Sequence, residues 1–582
     1  MLKKSYCFDG SKGVNSKGIL TQKSGFEKER GLMKKDKLKP MLFSVMKNYS
    51  KDQFFKDFIS GIIVAIIALP LSIALALASG VGPEEGIYTA IVAGFLISFF
   101  GGSRVQIAGP TAAFATIVAG IVARNGMDGL MLATIFAGIL LILMGILRLG
   151  SLIHFIPYTI TTGFTAGIAA TILIGQLKDF FGLTYPQGTV TIETMDKVRA
   201  VIANFGTVNV QAVIVGLVCL AVLIVWPMIP KIGEKIPGSL IAVFVGIGMV
   251  SGLGMKVNTI GDLYTISNKL PTLHIPAISA DSLSSAVTNG FTIAVLAAIE
   301  SLLSCVVADS MVNSHHRSNM ELVAQGIGNI GSALFGGIPA TGAIARTAAN
   351  IKNGGRTPVA GMVHSVVLVL VLVILMPYAA LIPMPTIAAI LFIVAYNMCG
   401  WRTFAHLCKT APKSDITVLV ATFALTVYFD LVVAIGVGMV LTCFLLMKRL
   451  ADETYVTGWQ YRDPETDPDN IELKKIPQHV RVYEIGGPMF FGMADRIAEI
   501  TLKEYTKVLV IRMRSVSALD ATAMHSLENL YAKCEEKNVR IIFSHVNEQP
   551  MKTMEKAGFV KAVGRENFCS HIDNALKRAS QI

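Results

Sequence analysis

Charged residues are scarce in this chain: Asp, Glu, Lys and Arg together make up 15% of its 582 residues. A soluble domain is typically about 25% charged. Hydrophobic residues make up 53% of the sequence, and the mean hydropathy is +0.59. A chain this long and this poor in charge must bury apolar surface in lipid, which excludes a purely soluble protein.

Motifs of enzymatic chemistry are also lacking. The eight cysteines are scattered, and no CxxC pair or Cys/His spacing indicates a metal site. The sequence contains neither a phosphate-binding P-loop nor a GxSxG nucleophile motif. We therefore predict no enzyme, no cofactor and no bound metal. The N-terminal segment has no apolar h-region or cleavage site, which argues against a secretory signal peptide.

Positive charge is concentrated near the N-terminus. The formal net charge is +12, and much of the excess precedes residue 57. Positive segments that flank a first transmembrane helix stay in the cytoplasm. We therefore predict that residues 1–50 form a basic cytoplasmic tail. Nucleic-acid binding is the disfavoured alternative, because the tail shows no aromatic interleaving and no binding fold.

Apolar runs fill residues 58–448. Because a helix needs about 20 apolar residues to cross the hydrocarbon, residues 51–449 are predicted to form an α-helical polytopic membrane domain of about fourteen segments. Two groups of seven, at about 58–252 and 284–447, must have opposite orientations because seven is an odd number. An even total returns the C-terminus to the cytoplasm, and the cations Lys448 and Arg449 agree with that side.

Glycine and proline interrupt two of the apolar stretches, 107–122 and 338–351. The first contains the sequence IAGPTAAF, the second contains IPATGAIART, and each stands third in its group. Interrupted segments at matching positions of two halves indicate an inverted-repeat transporter whose helix ends form the binding site. The alternative is a pair of ordinary kinks, which membrane helices tolerate.

Such interrupted helices have the chemistry of an anion site. Two helix N-termini that meet near the midplane offer unsatisfied N–H groups and positive dipole ends. Small residues let a ligand approach the backbone, and hydroxyl groups add donors. The candidates are Thr111, Ala112, Ala113, Thr341, Gly342 and Ala343. Arg346 follows closely and can add a positive field, unless it pairs with a carboxylate or extends to the membrane interface.

One acidic residue, Glu300, lies inside the apolar run from Phe291 to Val307. An ionisable group within a span is costly, so it is a candidate functional residue. Ser304, four residues on, lies on the same helix face. Together they form a candidate site for a coupling cation or a proton. The alternative is a structural hydrogen bond from a protonated Glu300.

The composition changes after Lys448. Residues 450–478 are polar and are predicted to form a linker and the start of a domain. Residues 479–582 alternate strand-like and helical patterns, which predicts a small α/β domain. The predicted strands are 480–485, 508–513 and 539–543, and the predicted helices are 494–505, 521–537 and 550–557. Asp520 is suited to cap the helix that starts at residue 521.

Four segments carry a resemblance to the SulP family of anion transporters. AIIALPLSIA (65–74), QIAGPT (106–111) and AAIESLLS (297–304) resemble its first, third and eighth spans, and TGAIARTAAN (341–350) resembles its tenth. The resemblance covers nearly the whole chain. It implies a seven-plus-seven fold shared with uracil permeases, with core and gate domains, followed by a cytoplasmic STAS domain.

Carried over position by position, this resemblance places the anion site between Thr111–Phe114 and Gly342–Arg346. It thereby adds Phe114, Ile344 and Ala345 to the candidates. The implied function is secondary active transport of a small anion by alternating access. The 341–350 stretch most resembles a bacterial branch that includes a C4-dicarboxylate transporter, while other members are sulfate permeases. Sulfate, dicarboxylates and bicarbonate therefore all stay open as substrates.

The resemblance also bears on coupling. The acidic position of the eighth span, taken in the family to bind sodium or carry coupling, falls on Glu300 with Ser304 beside it. Sodium-coupled bicarbonate members have Asp there, so Glu favours proton symport, and sodium-coupled bicarbonate transport is the alternative. The resemblance implies a homodimer, and the predicted location is the bacterial cytoplasmic membrane with both termini in the cytoplasm.

Two other classes of function are less favoured. A membrane-tethered signalling protein would use the STAS domain as output and bind a cytoplasmic protein partner. Ala521 disfavours this role, because STAS antagonists have a phosphorylatable Ser after the Asp. A nucleobase permease would share the membrane fold, but such permeases normally lack a STAS domain.

Overall fold

The computed structural model describes residues 38–151, 157–186, 189, 191, 193–229, 237–276, 280–429, 431–458, 476–477, 479–491, 497, 500–503 and 505–582. The chain divides into two compact units, the first ending at Met439 and the second running from Val440 to Ile582. Each unit is described by itself.

Helices form nearly all of the regular structure in the first unit, and the last of them continues past Met439 into the second unit. In chain order they are α1 Leu42–Val45, α2 Lys51–Ala78, α3 Pro83–Phe100, α4 Ala112–Ile146, α5 Tyr158–Phe181, α6 Thr194–Ala203, α7 Val210–Val225, α8 Gly238–Ile247, α9 Ile260–Leu263, α10 Ala280–Val312, α11 Ser318–Leu334, α12 Ile344–Lys352, α13 Val359–Ala379, α14 Met384–Cys399, α15 Trp401–Thr410, α16 Lys413–Tyr428 and α17 Leu431–Glu453. A π-helical turn, Gly248–Gly252, extends α8.

Among the described residues, eight helices are long and apolar enough to cross a membrane. Their outer faces are apolar: on α13, for example, Val366, Leu370 and Ile374 are exposed. Such faces fit a hydrocarbon environment, where a helix satisfies its own backbone hydrogen bonds. The predicted polytopic membrane fold is therefore confirmed, whereas the number of fourteen segments stays a prediction.

Local sequence explains where several helices begin and bend. Ser50 caps α2, because its hydroxyl oxygen accepts a hydrogen bond from the backbone N–H of Gln53 at 3.1 Å. Within α4, Gly126 has a φ of 69°, and this non-helical residue joins two helical pieces. Glycine adopts this conformation without a steric cost. The predicted stretch 107–122 therefore continues through this kink into the next span.

The helices pack as two sets. The first set contains α2, α3, α4, α10, α11, α12 and α13, with α11 and α10 against α4, α12 against α10 and α2, and α13 against both α2 and α3. The second contains α5, α7, α8, α14, α15 and α16, with α14 and α16 against α5. The interrupted stretches both belong to the first set, and the second set faces them across a cavity.

Two short strands join the interrupted stretches. β1 (Ala108–Gly109) pairs antiparallel with β2 (Thr341–Gly342), so that Ala108 lies opposite Gly342. The backbone N–H of Ala343 also donates to the carbonyl oxygen of Ile107 at 2.9 Å. Helix α4 begins shortly after β1, and α12 begins shortly after β2. This pairing therefore brings two helix N-termini from distant parts of the sequence together.

The second unit contains a five-stranded sheet in the order β3-β4-β5-β6-β7. β4 to β7 are parallel neighbours, and β3 pairs antiparallel with β4. The elements are β3 Tyr455–Gly458, β4 Val480–Gly486, β5 Val508–Ser515, α18 Ala521–Glu536, β6 Arg540–Ser544, α19 Glu548–Lys556, α20 Phe559–Val563, β7 Phe568–Cys569 and α21 Ile572–Ala579. Apolar clusters cover both faces of the sheet, which confirms the predicted α/β domain.

In the second unit, the structure confirms the predicted helix cap at Asp520, whereas two other predicted stretches lie partly outside the described residues. Asp520 caps α18, because its carboxylate accepts from the backbone N–H of Ala523 at 2.8 Å. The stretch 450–478 includes the end of α17 and the edge strand β3, while residues 459–475 lie outside the described residues. Half of the predicted helix 494–505 also lies outside them, and residues 500–503 and 505, which are described, are not helical.

Candidate functional site

The N-termini of α4 and α12 meet at the β1–β2 pair. Thr111 precedes α4 and Ala343 precedes α12, and neither helix has a side-chain cap on its first turn. The first N–H groups of a helix have no intrahelical partner and carry a partial positive charge. Both helix ends therefore present free donors to the same space, as the sequence predicted.

That space is a cavity of about 480 Å³. Its first wall belongs to the helix set that carries the interrupted stretches. The residues on this wall include Leu71, Leu75, Pro110, Thr111, Ala112, Ala113, Ile299, Glu300, Leu303, Gly342, Ala343, Ile344, Ala345 and Arg346. Nine of the predicted site residues are thus brought together, beside apolar side chains such as Leu71 and Leu75.

Arg346 is among the largest fully buried side chains, with 1% of its surface exposed. Its Nη2 donates to the carbonyl oxygen of Pro110, which ties α12 to the segment before α4. Its Nε and Nη1 atoms have no hydrogen-bond partner among the described residues. Burial excludes the membrane-interface alternative. A guanidinium with two unused donor atoms beside a cavity is suited to hold an anion.

Glu300 lies on the same wall and contacts the helix N-terminus directly. The hydroxyl of Thr111 donates to the carboxylate of Glu300 at 2.9 Å. Because Thr111 is the residue immediately before α4, this bond connects the acidic group to the N-terminal end of that helix.

Three of the predicted site residues are not in the cavity lining. Phe114 is one residue too far along α4 and points into the apolar core. Thr341 is buried, and its hydroxyl lies 2.5 Å from that of Ser301. Ser304 is buried without a hydrogen-bond partner among the described residues, so it does not bond Glu300. Residue spacing along one helix predicted Ser304, whereas the actual partner, Thr111, comes from another helix.

A polar network behind the first wall positions it. The side-chain amide of Gln106 donates to the carbonyl oxygen of Ser301 at 3.2 Å, and the thiol of Cys305 donates to the Gln106 Oε1 at 2.8 Å. Nearby, the hydroxyl of Thr347 accepts from the N–H of Ile107 at 3.0 Å. These bonds fix the β1–β2 pair to α10, the helix that carries Glu300. Sequence reasoning missed them because the partners are about 200 residues apart.

The second wall of the cavity comes from α5, α14 and α15. The sequence patterns did not indicate this wall. Its polar members are Tyr158, Thr161, Thr162, Thr165, Asn397 and Thr403. Single polar residues in apolar spans usually satisfy local hydrogen bonds, so the sequence alone favours a packing role for Asn397 over a ligand role. A polar residue between Val394 and Met398 on one helix face was the available signal.

No group of three or more His, Cys, Asp or Glu side chains within the described ranges is arranged to hold a metal ion. The donors that line the cavity are N–H, hydroxyl, amide and guanidinium groups, and the carboxylate of Glu300 is an acceptor. This set is suited to an anion, with a single acidic group available for a proton or a monovalent cation.

Comparison with known protein families gives two matches. Residues 54–422 match the sulfate permease family, and residues 470–575 match the STAS domain. The first match covers the interrupted stretches, Glu300 and Arg346, and so includes the whole first wall of the cavity.

Individual relatives align along nearly the full length. The chain is 38% identical to the "Putative sulfate transporter YvdB" of Bacillus subtilis, over 90% of this chain and 98% of the relative. It is 30% identical to the bicarbonate transporter BicA of a Picosynechococcus strain, over 90% and 94%. The inward-facing structure of the murine anion transporter Slc26a9 aligns with a TM-score of 0.84 at 19% identity, covering all of both chains, which shows a shared fold.

The two matched regions, the extended alignments to named transporters and the apolar helices agree with one another. They also support a transporter rather than an enzyme. The chain belongs to the sulfate permease family, and it is an integral membrane anion transporter with a C-terminal STAS domain.

Proposed function

We propose that this protein is a secondary active transporter that moves a small anion together with a proton by alternating access. The observation that carries this proposal is the cavity between two uncapped helix N-termini, with the unused Nε and Nη1 donors of Arg346 beside it. Helix N-termini bind anions through backbone N–H groups and the helix dipole, and they need no positively charged side chain to do so. Such a site binds and releases an anion without a covalent step.

The proposed substrates are a sulfate-type inorganic anion or a C4-dicarboxylate. The name of the Bacillus subtilis relative supports sulfate. The dicarboxylate is supported by the resemblance of residues 341–350 and by the size of the cavity, since about 480 Å³ exceeds what one inorganic oxyanion fills. The proposed ligand groups are the first-wall residues Thr111, Ala112, Ala113 and Gly342–Arg346.

Glu300 is the proposed coupling residue. An ionised Glu300 places a negative charge at the N-terminus of α4, where it repels an incoming anion and accepts the Thr111 hydrogen bond. Protonation removes the repulsion. A bound anion and a bound proton therefore favour each other, and this reciprocity is the thermodynamic basis of symport.

Sodium-coupled bicarbonate transport is the second candidate. It is favoured by the alignment to BicA, whose name gives bicarbonate as its substrate. The carboxylate of Glu300 and the hydroxyl of Thr111 are oxygen ligands of the kind that sodium takes. The resemblance favours the proton, because sodium-coupled bicarbonate members have Asp at the position of Glu300.

The remaining features belong to the same proposal. The protein acts as a homodimer in the bacterial cytoplasmic membrane, with both termini in the cytoplasm. Its basic tail is residues 1–50, its transport domain is 51–449, its linker is 450–478, and its STAS domain is 479–582. The STAS domain binds a cytoplasmic protein partner. A signalling output through this domain is less favoured, because Ala521 cannot be phosphorylated.

Purified protein in liposomes tests the proposal. Uptake of labelled sulfate, succinate and bicarbonate is measured under an imposed pH gradient, a sodium gradient or neither. We expect sulfate or succinate to accumulate under an inward proton gradient and to be insensitive to sodium. Sodium-driven bicarbonate uptake would support the second candidate, and the absence of uptake for all three anions would contradict both.

A further inference from the structure

The two walls of the cavity differ in the hydrogen-bond donors that they offer. The first wall has the helix N-termini of α4 and α12 and the guanidinium of Arg346, which bind negative charge. The second wall has six polar side chains from α5, α14 and α15. If some of these donors are free, the site can bind an anion at two places rather than one.

Three threonines on α5 have already used their donors. The hydroxyls of Thr161 and Thr162 both donate to the carbonyl oxygen of Tyr158 at 2.9 Å. The hydroxyl of Thr165 donates to the carbonyl oxygen of Thr161 at 2.8 Å. A hydroxyl has a single proton to donate. These side chains therefore present methyl groups and oxygen lone pairs to the cavity, and they do not attract an anion.

Asn397 is different. It lies on α14 between Val394 and Met398, so one helix face directs these three residues toward the cavity. Its side-chain amide has no hydrogen-bond partner within the described ranges, and it is exposed to the cavity. An amide supplies two N–H donors and one acceptor, whereas Tyr158 and Thr403 on the same wall supply one donor each. Asn397 is thus the richest source of unused donors on the second wall.

We propose that Asn397 is a specificity-determining residue that binds the far end of the substrate. An anion with one charged centre is held by the helix N-termini and Arg346 alone. An anion with a second carboxylate extends across the cavity and receives hydrogen bonds from the Asn397 amide. Because the amide is neutral, it adds recognition without a second fixed positive charge that would hold the substrate too tightly for release. This inference rests on the proposed function.

The test compares wild type with Asn397→Leu, a variant of similar size without donors. Initial rates of labelled succinate and sulfate uptake are measured in liposomes over a range of concentrations. We expect the KM for succinate to rise about tenfold, as loss of a good hydrogen bond to a charged group predicts, and the KM for sulfate to change by less than about twofold. Asn268→Leu, at an exposed loop amide outside the cavity, is the matched control and should change neither value.

A second variant keeps the test decisive if Asn397→Leu does not fold. Asn397→Asp has nearly the same shape but repels the far carboxylate, so succinate uptake should fall much more than sulfate uptake. Equal effects on both anions, or no effect on succinate, would overturn the inference. If wild type carries sulfate or bicarbonate but not succinate, the inference fails while the proposed anion transport stands. If wild type carries none of the three, the proposed function itself fails.

Discussion

At the scale of single residues, Arg346 combines complete burial with unused donor atoms. A buried cation without a carboxylate partner is costly, since its desolvation is not compensated within the protein. Among the described residues, its side chain donates one hydrogen bond, to the carbonyl oxygen of Pro110 in the segment that leads into α4. We interpret Arg346 as a buried cation whose desolvation cost is offset when the transported anion binds beside it.

Replacing Arg346 tests this interpretation. Arg346→Ala should weaken anion affinity by about 1–3 kcal/mol, the usual value of hydrogen bonds to charged groups. Arg346→Lys should recover part of this loss, because it keeps the charge but not the planar fork. The measurement is the KM of anion exchange in liposomes, with thermal stability of the purified variants as a control. Unchanged KM together with lower stability would indicate a structural role alone.

Glu300 and Thr111 lead to a separate prediction about coupling. Glu300→Gln keeps the side-chain shape and can still accept the Thr111 hydrogen bond, but it cannot exchange a proton. We expect accumulation of the anion under a pH gradient to fail, while exchange of labelled for unlabelled anion continues. Both are measured in the same liposome preparation. pH-driven accumulation at the wild-type level would leave Glu300 as a structural hydrogen-bonding residue.

At the scale of elements, the β1–β2 pair determines where the two helix ends lie. The pair is only two residues long on each strand, and the network through Gln106 and Ser301 holds it against α10. Within this pair, Gly109 lies directly beside the guanidinium of Arg346, and an added side chain at Gly109 would contact the Nη1 of Arg346. Glycine here lets the backbone of one stretch approach the cation of the other.

Substitution of Gly109 should therefore reduce the affinity for the anion. In Gly109→Ala the new methyl group displaces the Arg346 side chain, and the φ of 156° at this residue also strains the backbone, so thermal stability should fall and anion affinity should fall about tenfold, the consequence of a misplaced charged group. Gly120→Ala is the matched control, because an added methyl on α4 meets no atom within 4 Å there. Anion exchange kinetics of both variants provide the measurement. Equal kinetics in the two would show that the close approach at Gly109 does not matter.

The elements also show what sequence patterns can and cannot predict. Interrupted apolar stretches predicted the two helix ends, and small residues next to them predicted Thr111, Ala112, Ala113, Gly342 and Ala343 of the first wall. Those signals are local, so they can be read from neighbouring residues. The bond from Thr111 to Glu300, the burial of Phe114 and Ser304, and the wall with Asn397 depend on which helices pack together. Such contacts join residues far apart in the sequence, and periodicity alone does not determine them.

At the scale of the whole molecule, the chain consists of a transport unit and a STAS unit with separate cores. The cavity lining ends at Thr403, before the second unit begins at Val440. The apolar clusters of the STAS sheet consist of residues from its own strands and helices. The residues that line the cavity therefore all precede the STAS unit in the sequence, and none of them belongs to the apolar clusters of the STAS sheet.

A protein that ends after Arg449 should therefore still bind the anion. Its transport rate can change, because the STAS domain has its own proposed partner. Its affinity for the anion should stay within about threefold of that of the full chain, a difference in binding free energy of less than about 1 kcal/mol. Affinity is measured by competition between labelled and unlabelled anion in detergent. Complete loss of binding by a truncated protein that elutes as a single folded species would show that the STAS domain contributes to the site.

The most direct measurement is a cryo-EM structure with the anion that the liposome assay identifies, at a concentration that saturates transport. The predicted density lies between the N-termini of α4 and α12, within about 3 Å of their first N–H groups and of the Arg346 guanidinium, as hydrogen bonding requires. Density elsewhere in the transport unit, or none in this cavity at saturation, would contradict the assignment of the site.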